Sequence, residues 1–216
     1  NRVVPGAIGE TSSTGAQESN LDGLQIETFL EAAQLRAGQT AIVNCIVSRE
    51  REQVTDVPVV VVVSPSVDGI SVADTRATFS PTVEGEYRVW CQSAGGELRD
   101  SAGAALVVTP AEVVALETEV NNPVLVAGEA GLVGCTGFDV YQNEIVDSDQ
   151  LVDGDGLTVD RPAEVLLFER LGLDFTIRGT VAGDYEVGCR LGDVVDETPE
   201  SITVIAGAPA SSVTSV

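Results

Sequence analysis

The chain has 216 residues, room for two domains of about 100 each, and a formal charge of −23 from 34 acidic and 11 basic residues. Every basic residue is Arg, and Lys, His and Met are absent. A field of this sign repels phosphate and argues against nucleic acid and anionic membranes as partners. No run approaches the roughly 18 apolar residues of a spanning helix. The missing Met implies that the chain does not start at its initiator, so a leader has been removed or the chain belongs to a longer protein.

In chain order, residues 1–21 form an extension with a short apolar piece, Val3-Val4-Pro5-Gly6-Ala7-Ile8, followed by small polar residues. Its composition is that of a segment lacking its own core. Val3, Val4 and Ile8 make it a candidate subunit-connecting strand that adds to the sheet edge of a neighbouring copy. Packing back on its own domain, or serving as a linker, is the plainer alternative, and Pro5 lacks one ladder donor.

From residue 22 the pattern is that of short strands between turn signals. Ala41-Ile42-Val43-Asn44-Cys45-Ile46-Val47, residues 58–63 and residues 104–108 read as strands, and the abundance of β-branched Val favours a pleated sheet. The window 29–35 has a helix-like look. Its counterpart 119–125 contains Asn121-Asn122-Pro123, so both read as extended or bulged segments. In Tyr87-x-Val89-x-Cys91 the three side chains share one face at period 2. Trp90, the only Trp, therefore points to the opposite face, where it is either an interface anchor or covered by a loop of its own chain. The first copy spans 22–110, and Thr109-Pro110-Ala111 leads into the second with almost no slack, as expected of a semi-rigid rod.

The second copy, 111–206, repeats the first. Ile26-Glu27-Thr28, Leu35-Arg36-Ala37-Gly38 and Cys45 recur as Leu116-Glu117-Thr118, Leu125-Val126-Ala127-Gly128 and Cys135, at an offset of 90. Gly85-Glu86-Tyr87-Arg88-Val89-Trp90-Cys91 recurs as Gly183-Asp184-Tyr185-Glu186-Val187-Gly188-Cys189 at an offset of 98, so eight extra residues lie between the second pair of cysteines. Val67-Asp68-Gly69-Ile70-Ser71-Val72 is matched with Gly154-Asp155-Gly156-Leu157-Thr158-Val159. That match places the insertion at about 160–175, with Leu166, Leu167 and Phe168 as its apolar contact surface or as an extra edge strand. A small polar tail follows at 207–216.

Four cysteines allow three pairings. The repeat selects Cys45–Cys91 and Cys135–Cys189, one early and one late cysteine in each copy. Zinc finds no CxxC and no His. Loops of this size stabilise a domain by about 4 kcal/mol in the chain-entropy model, and disulfides belong outside a reducing cytosol. The fold class expected is all-β, two tandem β-sandwiches.

The Gly-acidic-Tyr-x-Val-x-Cys strand with its earlier cysteine resembles the immunoglobulin-like domains of bacterial secreted and cell-surface proteins, over about 25–109 and 111–206. Two departures separate it from antibody domains: the Tyr lies four residues before the late Cys, and no core Trp follows the early one. The resemblance implies adhesion, spacing or assembly, and brings no catalytic residue.

Asp147, Asp149, Asp153 and Asp155 form the densest acidic cluster, a candidate calcium site. Leu151 and Val152 stand at positions five and six, which breaks the EF-hand pattern, and a solvated acidic loop is the plainer reading. No other cofactor is expected. Without His, Lys or a free cysteine the usual base and nucleophiles are missing, and no Gly-rich phosphate loop joins a strand to a helix. The expected protein is a non-catalytic, extracellular subunit of a self-assembling filament or surface layer, with copies of itself as partners. The alternative is an adhesin or a module binding glycans or other surface proteins.

Overall fold

The computed structural model describes residues 22–145, 157–160, 166–171 and 174–208, and all regular structure among them is β-strand. The first copy contains β1 (Leu24–Leu30), β2 (Gln34–Arg36), β3 (Ala41–Arg49), β4 (Glu52–Gln53), β5 (Val59–Ser64), β6 (Ser71–Ala73), β7 (Arg76–Phe79), β8 (Gly85–Ser93) and β9 (Ala104–Thr109). The second contains β10 (Val113–Val120), β11 (Val124–Val126), β12 (Ala130–Asp139), β13 (Glu144–Ile145), β14 (Leu157–Asp160), β15 (Leu166–Leu171), β16 (Asp174–Gly179), β17 (Gly183–Leu191), β18 (Val194–Val195) and β19 (Glu200–Ile205).

Each copy is a two-sheet sandwich. In the first, one sheet runs β1-β3-β7-β6 with β4 paired to β3, and the other runs β2-β9-β8-β5. The second has β10-β12-β16-β15 with β13 on β12, facing β11-β19-β17-β14 with β18 on β17. The ambiguous window 29–35 is where the first strand changes sheets. β1 pairs antiparallel with β3 and ends at Leu30; the chain then bends, and β2 pairs parallel with β9. β10 and β11 do the same around Asn121-Asn122-Pro123.

Alternation places the cores. Ala41, Val43, Cys45 and Val47 of β3 are buried and face Val59, Val61, Val63, Tyr87, Val89 and Cys91 from the other sheet. A second, separate cluster contains Leu116, Leu125, Val133, Phe175, Ile177, Val187 and Ile202. Both expected disulfides cross between sheets, with Cα–Cα distances of 5.6 Å for Cys45–Cys91 and 5.9 Å for Cys135–Cys189.

Register corrects the placement of the insertion. Val61 of β5 pairs with Cys91 of β8, and Val159 of β14 pairs with Cys189 of β17. The offset of 98 is thus already complete at β14, and residues 157–159 correspond to β5 rather than to the turn around Asp68-Gly69. One extra residue sits in the turn 139–143, which answers the four-residue turn 49–52 between the pairs Ser48–Gln53 and Phe138–Glu144. The other seven lie at 146–156, eleven residues where the first copy has four, 55–58. The 160–175 region is no insertion. Its β15 is the counterpart of β6, lengthened from three residues to six and paired with β16.

Candidate functional site

A buried polar construction lies where the two sandwiches meet. β9 ends at Thr109, Pro110 offers no N–H, and β10 starts at Val113. The Ala111 N–H between them donates to Asp139 Oδ2 at 2.8 Å. Asp139 closes β12 and is fully buried. Its Oδ1 accepts the backbone N–H groups of Tyr141 at 2.8 Å and Asn143 at 2.9 Å, while Oδ2 also accepts Asn143 Nδ2 at 2.7 Å. Four donors thus converge on one carboxylate, as a buried charge requires. Burial pushes the Asp139 pKa up, but these hydrogen bonds together outweigh it and hold the group below its ordinary 3.8.

Asn143, only 6% exposed, carries the connection across the boundary. Its Nδ2 donates to the Thr82 carbonyl at 2.8 Å, and its Oδ1 accepts the Glu84 N–H at 2.9 Å. Both amide protons and the amide oxygen are therefore used, and two of the three bonds reach the first sandwich. Beside them the Tyr141 ring lies against Gly38, where a Cβ would fall 2.1 Å from the Tyr141 hydroxyl oxygen. Gly38 has φ +81°, so glycine serves both the backbone conformation and the close approach. The Arg36–Glu112 pair at 3.5 Å also bridges the boundary, but it is exposed and adds little.

The receiving loop is fixed from within the first sandwich. The Tyr87 hydroxyl donates to the Val83 carbonyl at 2.7 Å, and the Gly38 N–H donates to the Pro81 carbonyl at 2.7 Å. The Tyr of the Gly-acidic-Tyr motif therefore ties this loop down in the manner of a tyrosine corner, from a position two residues earlier than in antibody domains.

A second polar element occurs once in each sandwich. Thr28 Oγ1 accepts the Cys91 N–H at 2.9 Å, and the Thr28 N–H donates to Asp100 Oδ2 at 2.9 Å. In the other copy Thr118 Oγ1 accepts the Cys189 N–H at 2.8 Å and donates to Asp196 Oδ2. Both tie the first strand to the strand of the late cysteine. As at Asp139, burial raises the pKa of Asp100 and Asp196 while hydrogen bonds bring the net value below 3.8.

Trp90 does face away from the disulfide side, and its own chain covers it. The Arg99 guanidinium lies 4.6 Å from the ring centroid, and a Cβ on Gly103 would come within 2.5 Å of the ring. In the second copy Pro199 packs over Gly188 instead. Leu166 is fully buried in the core of its own sandwich, which removes it as an outward contact. Leu167 and Phe168 lie on β15 opposite Arg178 and Ile177. Val3, Val4, Ile8, Asp147, Asp149, Asp153 and Asp155 lie outside the described residues. Among the described residues no three carboxylates or cysteines gather as a metal site, and no helix is long and apolar enough to cross a membrane.

This architecture, with paired sandwiches and a cross-sheet disulfide in each, is the tandem immunoglobulin-like fold. Among solved structures the chain is similar to InvD of Yersinia pseudotuberculosis, at 16% identity and TM-score 0.57 over 90% of this chain and 61% of that one. It is also similar to invasin, described as a bacterial integrin-binding protein, at 11% identity and TM-score 0.56 over 86% of this chain and 40% of that one. The chain thus spans less than two thirds of either structure, and at these identities the likeness is one of fold. No family model and no curated protein matches the sequence.

Proposed function

We propose that the chain is a non-catalytic extracellular structural protein whose two immunoglobulin-like domains act as one stiff unit of a self-assembling filament or surface layer. The observation that carries this reading is the Asn143–Asp139 joint, which occupies the boundary with satisfied, buried hydrogen bonds where a flexible linker would have water. Stiffness between modules is what a load-bearing or spacing element needs and what a pair of independent binding modules does not. The disulfides fit an oxidising, extracellular setting, and the charge of −23 favours solubility outside the cell. The connecting strand in this reading is residues 1–20, with Val3, Val4 and Ile8 as its apolar contacts.

A second reading, a stalk or binding segment of a larger adhesin with glycans or surface proteins as partners, is favoured by the fold shared with InvD and invasin. Calcium at Asp147, Asp149, Asp153 and Asp155 is compatible with either, because all four fall in the segment that is longer in the second copy. Negative-stain electron microscopy of the full chain and of a chain lacking residues 1–20 separates the two. Filaments that vanish on truncation support the polymer; single particles in both samples overturn it in favour of the stalk.

A further inference from the structure

The first domain receives the turn 139–143 in a socket made of Gly38, the loop 81–84 and the bond from Tyr87 that fixes that loop. The second domain carries the same socket at the equivalent end. Gly128 stands for Gly38, again at positive φ (+92°), and donates its N–H to Gly179 O at 2.8 Å as Gly38 does to Pro81 O at 2.7 Å. The Tyr185 hydroxyl donates to Val181 O at 3.0 Å as Tyr87 does to Val83 O. The exit strand matches too: Ala37 N–H donates to Thr109 O and Ala127 N–H to Ile205 O, both at 2.8 Å. Thus Gly207 leaves the second domain where Ala111 leaves the first.

The two sockets differ in what fills them. A Cβ on Gly38 would collide with the Tyr141 ring, whereas a Cβ on Gly128 would meet nothing within 4 Å among the described residues. Gly128 keeps the left-handed backbone and the absent side chain, yet no described ring lies there. The other end of the chain does not supply the matching turn. In the first domain the place of Asp139-Val140-Tyr141-Gln142-Asn143 is taken by Arg49-Glu50-Arg51-Glu52, one residue shorter, without the Asp, Tyr or Asn.

We propose that the Gly128–Val181 end of the second domain is a docking socket for a further immunoglobulin-like domain bearing an Asp-x-Tyr-x-Asn turn, and not for the first domain of another copy. The tyrosine ring would lie on Gly128, and the asparagine oxygen would accept the Ala182 N–H as Asn143 accepts that of Glu84. The inference rests on the internal repeat of an interface already formed once in this chain, and it holds whether or not copies of the chain polymerise.

The test appends a second copy of residues 111–206 directly after Ala206, so that its Ala111 falls where Gly207 stands. In amide NMR spectra the resonances of Gly128 and Ala182 should shift relative to the parent chain, and relaxation should show the appended domain tumbling with its neighbours. A matched chain carries the turn 49–52 in the appended copy in place of 139–143, a turn that the first domain already accommodates; both effects should be lost there. A folded appended domain that tumbles independently and leaves Gly128 and Ala182 unmoved overturns the proposal. Equal shifts in the two chains also overturn it, since the tether rather than the turn would then cause them. If direct fusion disturbs folding, a longer Gly/Ser linker before the appended copy lets it fold apart and still reach the socket, and the same two amides then decide between docking and independence.

Discussion

Asn143 of the second domain donates its amide N–H to the carbonyl of Thr82 in the first at 2.8 Å, and the same side chain accepts the Glu84 N–H at 2.9 Å. One amide thus acts as a cross-strand pair would, but between two domains. It is held in this position by a fully buried carboxylate, Asp139, that is itself satisfied by four donors.

Replacing Asn143 with Ala should release the joint. The buried Asp139 carboxylate loses one donor, and the Thr82 carbonyl and Glu84 N–H are left to find water. The expected cost is about 1–3 kcal/mol in the stability of the second domain, read by urea unfolding. Small-angle scattering should also show a broader distribution of interdomain arrangements than in the parent chain.

Gly38→Val should separate the domains by a different route. The branched side chain meets the Tyr141 ring and also strains a backbone at φ +81°, at about 1–2 kcal/mol for the left-handed conformation. Adding Tyr141→Ala removes the collision and leaves the backbone strain. A double-mutant cycle should therefore show that the two changes couple, and purely additive effects would deny the contact.

Thr118→Val keeps the shape and β-branching of the side chain but leaves the Cys189 N–H without its acceptor and removes the hydroxyl donor to Asp196 Oδ2, while Oδ1 keeps its two bonds from Thr198. About 1–3 kcal/mol should be lost, and Thr118→Ser should recover most of it. Thr28→Val should likewise orphan the Cys91 N–H in the first domain, while the Thr28 N–H keeps its bond to Asp100.

Acid should unfold the protein through three aspartates. Asp100, Asp139 and Asp196 bind their protons more weakly in the folded chain than the ordinary value of 3.8, because hydrogen bonds outweigh burial. Such groups add stability that is fully present above the unfolded pKa and is lost as pH falls through the folded one. Melting temperature should be nearly level from neutral pH to about 5 and fall steeply below about 4. Asp139→Asn should flatten that fall while lowering stability at neutral pH.

Much of this fold is legible in sequence because a repeat converts one ambiguous reading into two that must agree. Asn121-Asn122-Pro123 in one copy argues against a helix at 29–35 in the other, and the pairing of four cysteines follows from their duplication. Register is harder to read. A local match between Asp68-Gly69 and Asp155-Gly156 competes with the count of residues to the late cysteine, which points to an insertion upstream. Turn residues recur in any loop, whereas a ladder such as Val159–Cys189 is set by hydrogen bonding over its whole length. The joint is hidden in the sequence because it is a difference between the copies, a turn one residue longer carrying Asp139, Tyr141 and Asn143, and a search for similarity passes over it. Thr28 and Thr118 are visible as repeated letters, but their bonds to the cysteine strands are made in three dimensions.

Whether Asn143 and Asp139 hold the two domains in one orientation can be read from residual dipolar couplings of the backbone amides of the full chain. A single alignment tensor should fit both domains, and Asn143→Ala should split it into two of unequal magnitude. Two unequal tensors already in the unmodified chain would contradict a single held orientation.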